Sequence, residues 1–175
     1  MSLKNINTVL ATAVVLFTFY LGISFVLIPE TQAPGFGLPS WPSGDGGGFL
    51  NVKGNRELAM GLAMGILLVT GQRRALGWVL LMVAVAPFGD MITVLAHHGS
   101  VATALGVHGL TAVVIAAAGL LTLHETRKAA AAEPAATAAA EPAAAAATAA
   151  EPAPAAAPAT APATPATAPA TPQAV

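Results

Sequence analysis

The chain has 175 residues, of which 55% are hydrophobic and 9% are charged, and its mean hydropathy is +0.72. Soluble domains carry about 25% charged residues, so this composition is typical of a protein that resides in a lipid bilayer. The net charge of −1 gives no field that would recruit nucleic acid, and the absence of cysteine excludes disulfides, thiolate catalysis and cysteine metal sites.

Four apolar stretches, at about 8–28, 49–70, 75–96 and 101–123, predict four membrane-spanning helices. At about 1.5 Å per residue, each is long enough for the hydrocarbon core of about 30 Å. The first exceeds the roughly 7–15 apolar residues of a signal peptide, so we interpret it as a retained span. The last three stretches are joined by short turns, which make neighbouring helices antiparallel. We therefore expect an all-α fold, a four-helix antiparallel transmembrane bundle over residues 1–128.

The loop at 29–48, between the first two stretches, is rich in glycine and proline, and we expect no regular element in it. Its aromatic residues, Phe36 and Trp41, fit anchors at the membrane interface.

The second stretch is unusual because its uncharged part, 58–69, is too short to cross a bilayer. Extending it back to Phe49 gives a full span but places three charged residues in the first third of the helix. Gly61 and Gly65 follow at a spacing that lets two helix backbones approach closely.

The loop charges predict the orientation in the cell membrane. Arg73 and Arg74 lie in a short loop, which should be cytoplasmic by the positive-inside rule. Four spans then place both termini in the cytoplasm (N-in and C-in), in agreement with Lys4 and the basic pair at 127–128. Residues 129–175 are almost entirely Ala, Pro, Thr and Glu, and proline at every three to ten positions predicts a disordered, polyproline-like cytoplasmic tail.

The predicted spans carry one polar cluster. Helix rise places Arg56, Asp90 and His108 at about the same depth, roughly 8–10 Å below the outer boundary. The cluster of candidate ligand-binding or ion-pair residues is therefore Lys53, Arg56, Glu57, Asp90 and His108. Because leaving one member of a buried ion pair without its partner costs about 3–5 kcal/mol, we expect Arg56 and Asp90 to pair.

Three interpretations of this cluster remain open. It could be a neutral ion-pair network that fixes helix register, or a site for a ligand or a proton. A metal site built from Asp90, His97, His98 and His108 is the least favoured, because adjacent histidines point about 100° apart on a helix. We assign no catalytic residue, no metal and no cofactor.

Four motifs carry a resemblance to a known family: VKGNREL from Val52, RRALGW from Arg73, Pro87-x-x-Asp90, and GVHG from Gly106. In this order they resemble a group of small four-helix membrane proteins of bacteria and fungi that is known only as a domain of unknown function and is loosely similar to the DoxX-like proteins. The resemblance covers about residues 9–123. It implies an integral membrane protein and does not indicate which reaction, if any, the protein catalyses.

These observations favour a non-enzymatic accessory protein, or one that binds a small lipophilic molecule. The alternative is a membrane subunit of a quinone-linked oxidoreductase, as some DoxX-like proteins are thought to be. In that case Arg56 and His108 would donate to the quinone head group, and Asp90 or Glu57 would accept a proton. The cysteines of some redox relatives are missing here. A third hypothesis is a small proton-coupled transporter. The expected partners are the lipid bilayer and a second copy or another membrane subunit.

Overall fold

A computed structural model describes the backbone of residues 3–149 and the side chains of residues 3–132, and every element in this part of the chain is helical. The α-helices are α1 (Leu3–Leu27), α2 (Pro29–Gln32), α3 (Gly48–Val69), α4 (Arg73–Val83), α5 (Val85–Ala96), α6 (Val101–Thr103) and α7 (Leu110–Ala149). Short 3₁₀ turns occupy Ala33–Phe36 and Gly44–Gly47, and Ala104–Gly109 is π-helical. The chain divides into a compact unit, Met1–Ala135, and a second unit, Ala136–Val175.

Three of the described helices are long and apolar enough to cross a membrane: Leu3–Leu27, Arg73–Ala96 and Val101–Ala132. They confirm an all-α fold with the composition of a membrane protein. Helix α3 has 22 residues, enough for about 33 Å of rise. It falls outside the three because its first half carries Lys53, Arg56 and Glu57. The fourth span therefore stays a prediction, although the helix itself lies within one residue of the predicted 49–70.

The third span is divided at Ala84, where α4 ends and α5 begins. Pro87 is the cause, because proline has no amide hydrogen and leaves the carbonyl of Val83 without its intrahelical donor. The chain continues in helical geometry, and the amide of Phe88 donates to the carbonyl of Ala84 at 3.3 Å. The break in the helix thus lies within one turn of Pro87.

Helices α1 and α3 pack closely through a pair of glycines. A Cβ atom on Gly54 would lie 2.8 Å from the carbonyl oxygen of Gly22, closer than a side chain tolerates. Gly61 and Gly65 also face α1, but a Cβ on either would make only ordinary contacts, with Phe19 at 3.4 Å and Val15 at 3.6 Å. The Gly-x-x-x-Gly spacing therefore marks the correct face of α3, while the closest approach lies at Gly54.

The apolar core forms where α1, α3, α4 and α7 meet. Met64, Leu76 and Leu80 are completely buried there, and they pack with small residues such as Ala11 and Ala118. Close packing of this kind fixes the rotation of each helix about its axis, and so determines which polar side chains face the interior.

Helix α7 continues to Ala149, so residues 129–149 differ from the extended tail that the prolines predicted. Alanine has the highest helix propensity of all residues, and in this segment it surrounds Pro134 and Pro142. Residues 150–175 lie outside the described part of the chain, and disorder remains a prediction for them.

Candidate ligand site

Lys53 is the centre of a polar cluster formed by α3 and α5. Its Nζ atom donates to Oε1 of Glu57 at 3.2 Å and to Oδ2 of Asp90 at 3.3 Å. Glu57 lies one turn after Lys53 on the same face of α3, whereas Asp90 comes from the segment after Pro87. We call Lys53, Glu57 and Asp90 the Lys53 cluster.

Two aromatic rings border the same ammonium group. The Nζ atom of Lys53 lies 5.0 Å from the ring centre of Phe36 and 5.6 Å from that of Phe25. Both distances are within the range in which a ring face attracts a cation. Phe25 comes from the last turn of α1 and Phe36 from the following loop, so α1 and its loop supply an aromatic wall to a charged group of α3.

His108 also contacts Phe36. The residue is 92% buried, its Nε2 atom is 2.8 Å from the carbonyl oxygen of Phe36, and the centres of the two rings are 4.7 Å apart. A carbonyl can only accept, so Nε2 carries a hydrogen and donates it. In the neutral ring Nδ1 is then an acceptor, and it makes no hydrogen bond to any described residue.

The backbone around His108 is π-helical over Ala104–Gly109. A π-helical turn inserts an extra residue into an α-helix and changes the direction of the side chains around it, and such turns occur often at functional sites. Sequence reasoning identified His108 from its position in an apolar span. It gave no indication of the π-helical turn.

The loop residues 33–37, which we call the Phe36 loop, are fixed against the start of the last span. The amide of Ser100 donates to the carbonyl oxygen of Gly37 at 2.8 Å. Gly37 has φ = 93°, a left-handed conformation that favours glycine, and a Cβ atom there would lie 2.8 Å from the side chain of Thr103. The prediction that the loop 29–48 has no regular element was wrong at Pro29–Gln32, Ala33–Phe36 and Gly44–Gly47. Phe36 contacts polar side chains within the compact unit.

A cavity of about 150 Å³ lies between these groups. Lys53, Glu57, Asp90 and His108 form its polar part. Thr18, Thr111 and Gln32 add smaller polar groups. The rest of the wall is apolar and is formed mainly by Phe17, Leu21, Phe25, Met60, Val83 and Ile115.

Arg56 does not join this site. It is exposed, it does not line the cavity, and it has no ion pair within the described part of the chain. The predicted Arg56–Asp90 pair is therefore wrong, and Lys53 occupies that place. Helix geometry explains the difference. Arg56 and Glu57 point about 100° apart around the axis of α3, so the helix orientation that directs Glu57 inward directs Arg56 away.

A second polar cluster, which sequence reasoning missed, lies at the other end of the bundle. Arg73 donates to Oε2 of Glu125 at 2.9 Å and to the hydroxyl of Thr8 at 3.0 Å. The amide of Asn7, which is fully buried, donates to the same Glu125 oxygen at 2.8 Å and to the carbonyl of Leu121 at 3.1 Å. We call Asn7, Arg73 and Glu125 the Arg73 cluster. It joins α1, α4 and α7.

The metal hypothesis receives no support from the geometry. Among the described residues, no group of three or more histidine, aspartate or glutamate side chains is arranged to hold a metal ion. His97 and His98 lie in the turn after α5, and His98 has a positive φ of 56°. They do not line the cavity, whereas His108 and Asp90 do.

Three helices apolar and long enough to cross a bilayer, with a partly polar cavity among the helices, are typical of a membrane protein built of several helices. The family model described as a domain of unknown function, DUF4267, matches residues 15–122, and the chain belongs to that family. No curated protein and no solved structure matches it. The matched residues include every residue that lines the cavity. The looser similarity to DoxX-like proteins stays a prediction.

Proposed function

We propose that this protein binds a small amphipathic molecule in the cavity around the Lys53 cluster. The observation that carries this proposal is a cavity of about 150 Å³ whose apolar wall meets two carboxylates, an ammonium group and a buried imidazole. Ligand sites typically combine an apolar enclosure with a few convergent polar groups. An engineered cavity of about this volume binds benzene, so the expected ligand is of the size of one ring with a polar substituent.

A structural ion-pair network alone would not need this space. Charged groups that only fix helix register are expected to be closely packed, because atoms beside empty volume lose packing contacts. The Lys53 cluster instead borders a cavity, and His108 Nδ1 has no partner among the described residues. The cavity is the feature that favours binding over register alone.

The quinone hypothesis is less well supported. It relied on Arg56 as a donor to the head group, and Arg56 does not line the cavity. Lys53 could replace it, but both of its ion pairs are already directed at carboxylates. A subunit of a quinone-linked oxidoreductase remains the alternative, and co-purification of a quinone or a flavoprotein partner would favour it.

A cavity-filling variant tests the proposal. Thr111 lines the cavity from α7, and Thr111→Phe should fill it, whereas Leu110→Phe changes an exposed neighbour that does not line it. Fluorine NMR of 3-fluorobenzyl alcohol with protein in lipid nanodiscs measures binding directly. We expect wild type and Leu110→Phe to bind equally, and Thr111→Phe to lose at least about tenfold in affinity, or 1.4 kcal/mol. Equal binding by all three proteins would overturn the proposal.

We also propose the N-in, C-in orientation, in which the Lys53 cluster lies in the outer leaflet. Its support is the basic turn at Arg73 and Arg74. The natural absence of cysteine makes the test direct. A single cysteine at Ser43 should react in intact cells with a maleimide that cannot cross the membrane, and one at Gln72 should react only after lysis. The reverse pattern would mean that the orientation is inverted.

A further inference from the structure

The charges around the cavity do not balance. At neutral pH the Lys53 cluster has two carboxylates and one ammonium group, which leaves one negative charge in excess. Arg56 would restore neutrality, but it lies on the exposed side of α3 and does not line the cavity. An uncompensated charge in a partly buried site is costly, so a bound group that supplies one positive charge is favoured over a neutral or negative one.

The hydrogen-bonding groups are unbalanced in the same direction. The carboxylates of Glu57 and Asp90 can accept several hydrogen bonds, whereas Lys53 supplies three donors and directs two of them at these carboxylates. His108 donates through Nε2 to the carbonyl of Phe36, which leaves Nδ1 as an acceptor. Among Lys53, Glu57, Asp90 and His108, acceptors thus exceed donors, and a ligand that brings donors is favoured.

The walls also suit a cation. Phe25 and Phe36 lie within 6 Å of the Lys53 ammonium group, and Phe17 lines the cavity as a third ring. Ring faces attract ammonium groups without hydrogen bonding to them, and aromatic sites recognise amines in this way. The apolar wall accommodates the remainder of such a molecule.

From the charge, the hydrogen-bonding groups and the aromatic walls we infer that the ligand is a small ammonium compound, with one protonated amine and an apolar body of about one ring. Its nitrogen lies between the carboxylates of Glu57 and Asp90 and Nδ1 of His108, and its apolar part lies against the α1 side of the cavity. Two ammonium groups then face two carboxylates. This inference rests on the proposed function and names the ligand class for the same cavity.

Three probes of nearly equal size test it on the wild-type protein in nanodiscs: 3-fluorobenzylamine, 3-fluorobenzyl alcohol and 3-fluoroanisole. We expect the amine to bind about tenfold more tightly than the alcohol, and the ether, which only accepts hydrogen bonds, to bind most weakly. Asp90→Asn removes the excess charge and should reduce the preference for the amine to about twofold or less. Leu110→Phe is the control that should retain it.

The outcomes separate this inference from the function it rests on. If the alcohol or the ether binds as tightly as the amine, and Thr111→Phe still abolishes binding, the cavity is a ligand site but the ammonium inference is wrong. If no probe binds at the cavity, both are wrong. A preference for the amine that Asp90→Asn leaves unchanged also overturns the inference, because membrane partitioning and not the cluster would then be the cause.

Discussion

The two polar clusters of this bundle use similar residues in different ways. The Arg73 cluster ties three helices together around an ion pair of 2.9 Å between Arg73 and Glu125, whose side chains are only 17% and 14% exposed. The Lys53 cluster has longer contacts of 3.2 and 3.3 Å, and Lys53 and Asp90 are 26% and 29% exposed beside a cavity. The first cluster is built to hold helices together, whereas the second leaves room for another molecule.

The family match covers the two clusters to different extents. All residues around the cavity lie within the matched stretch 15–122, whereas Arg73 is the only member of the Arg73 cluster that does. The comparison teaches that a buried ion pair does not by itself indicate function. The space beside Lys53 is more enclosed than the open depression that Arg73 borders. This enclosure, the aromatic wall and the imidazole acceptor distinguish a candidate site from a structural connection.

The largest effect on stability should come from Glu125→Ala. The change leaves the Arg73 guanidinium and the Asn7 amide without their shared acceptor, and removal of one partner from a buried ion pair costs about 3–5 kcal/mol. The exposed neighbour His124 offers the control His124→Ala, which should change the free energy of unfolding by less than about 0.5 kcal/mol. Reversible unfolding in mixed micelles measures both. Equal losses would mean that the Arg73 cluster does not hold the helices together.

A smaller effect is expected for the coupling between Lys53 and Asp90. In a double-mutant cycle, Lys53→Met and Asp90→Asn should deviate from additivity by about 0.5–3 kcal/mol, because the two side chains are in contact. The matched cycle of Arg56→Met with Asp90→Asn should be additive within about 0.5 kcal/mol. If the Arg56 cycle couples and the Lys53 cycle does not, Arg56 is the partner of Asp90 and the described site is incorrect.

The sequence predicted helix positions better than helix rotations. The stretches 49–70 and 101–123 begin within one residue of helices in the structure, because long apolar runs define where a membrane helix lies. Helix α1 begins at Leu3, before the predicted 8–28, because the polar residues before Thr8 were interpreted as lying outside the span. Asn7 is instead part of α1 and is buried against α7, a contact that the polar composition of the segment before Thr8 could not reveal.

The candidate site was predicted in its depth but not in its exact members. Helix rise brought Asp90 and His108 to one layer, and both line the cavity. The choice of Arg56 over Lys53 failed because depth alone does not give the direction of a side chain around the helix. The contribution of Phe36 was missed because a loop rich in glycine and proline offers no period from which to infer contacts.

The Arg73 cluster was not predictable because its partners are far apart in the chain. Arg73 and Glu125 are separated by 52 positions, and Asn7 and Glu125 by 118. Arg73 was interpreted only as a marker of membrane orientation. A charged residue at the start of a helix can have both roles, and only the packing of α1 against α7 shows the second.

The most direct test of the central claim measures probe affinity and the free energy of unfolding together in two of these variants. Thr111→Phe should lose 3-fluorobenzylamine binding while its free energy of unfolding stays within about 1 kcal/mol of wild type, since the new ring occupies existing space. Glu125→Ala should lose stability, yet its folded fraction should bind the probe with unchanged affinity. If affinity and stability instead fall together in both variants, the two clusters are parts of one structural network, and the Lys53 cluster is not a separate binding site.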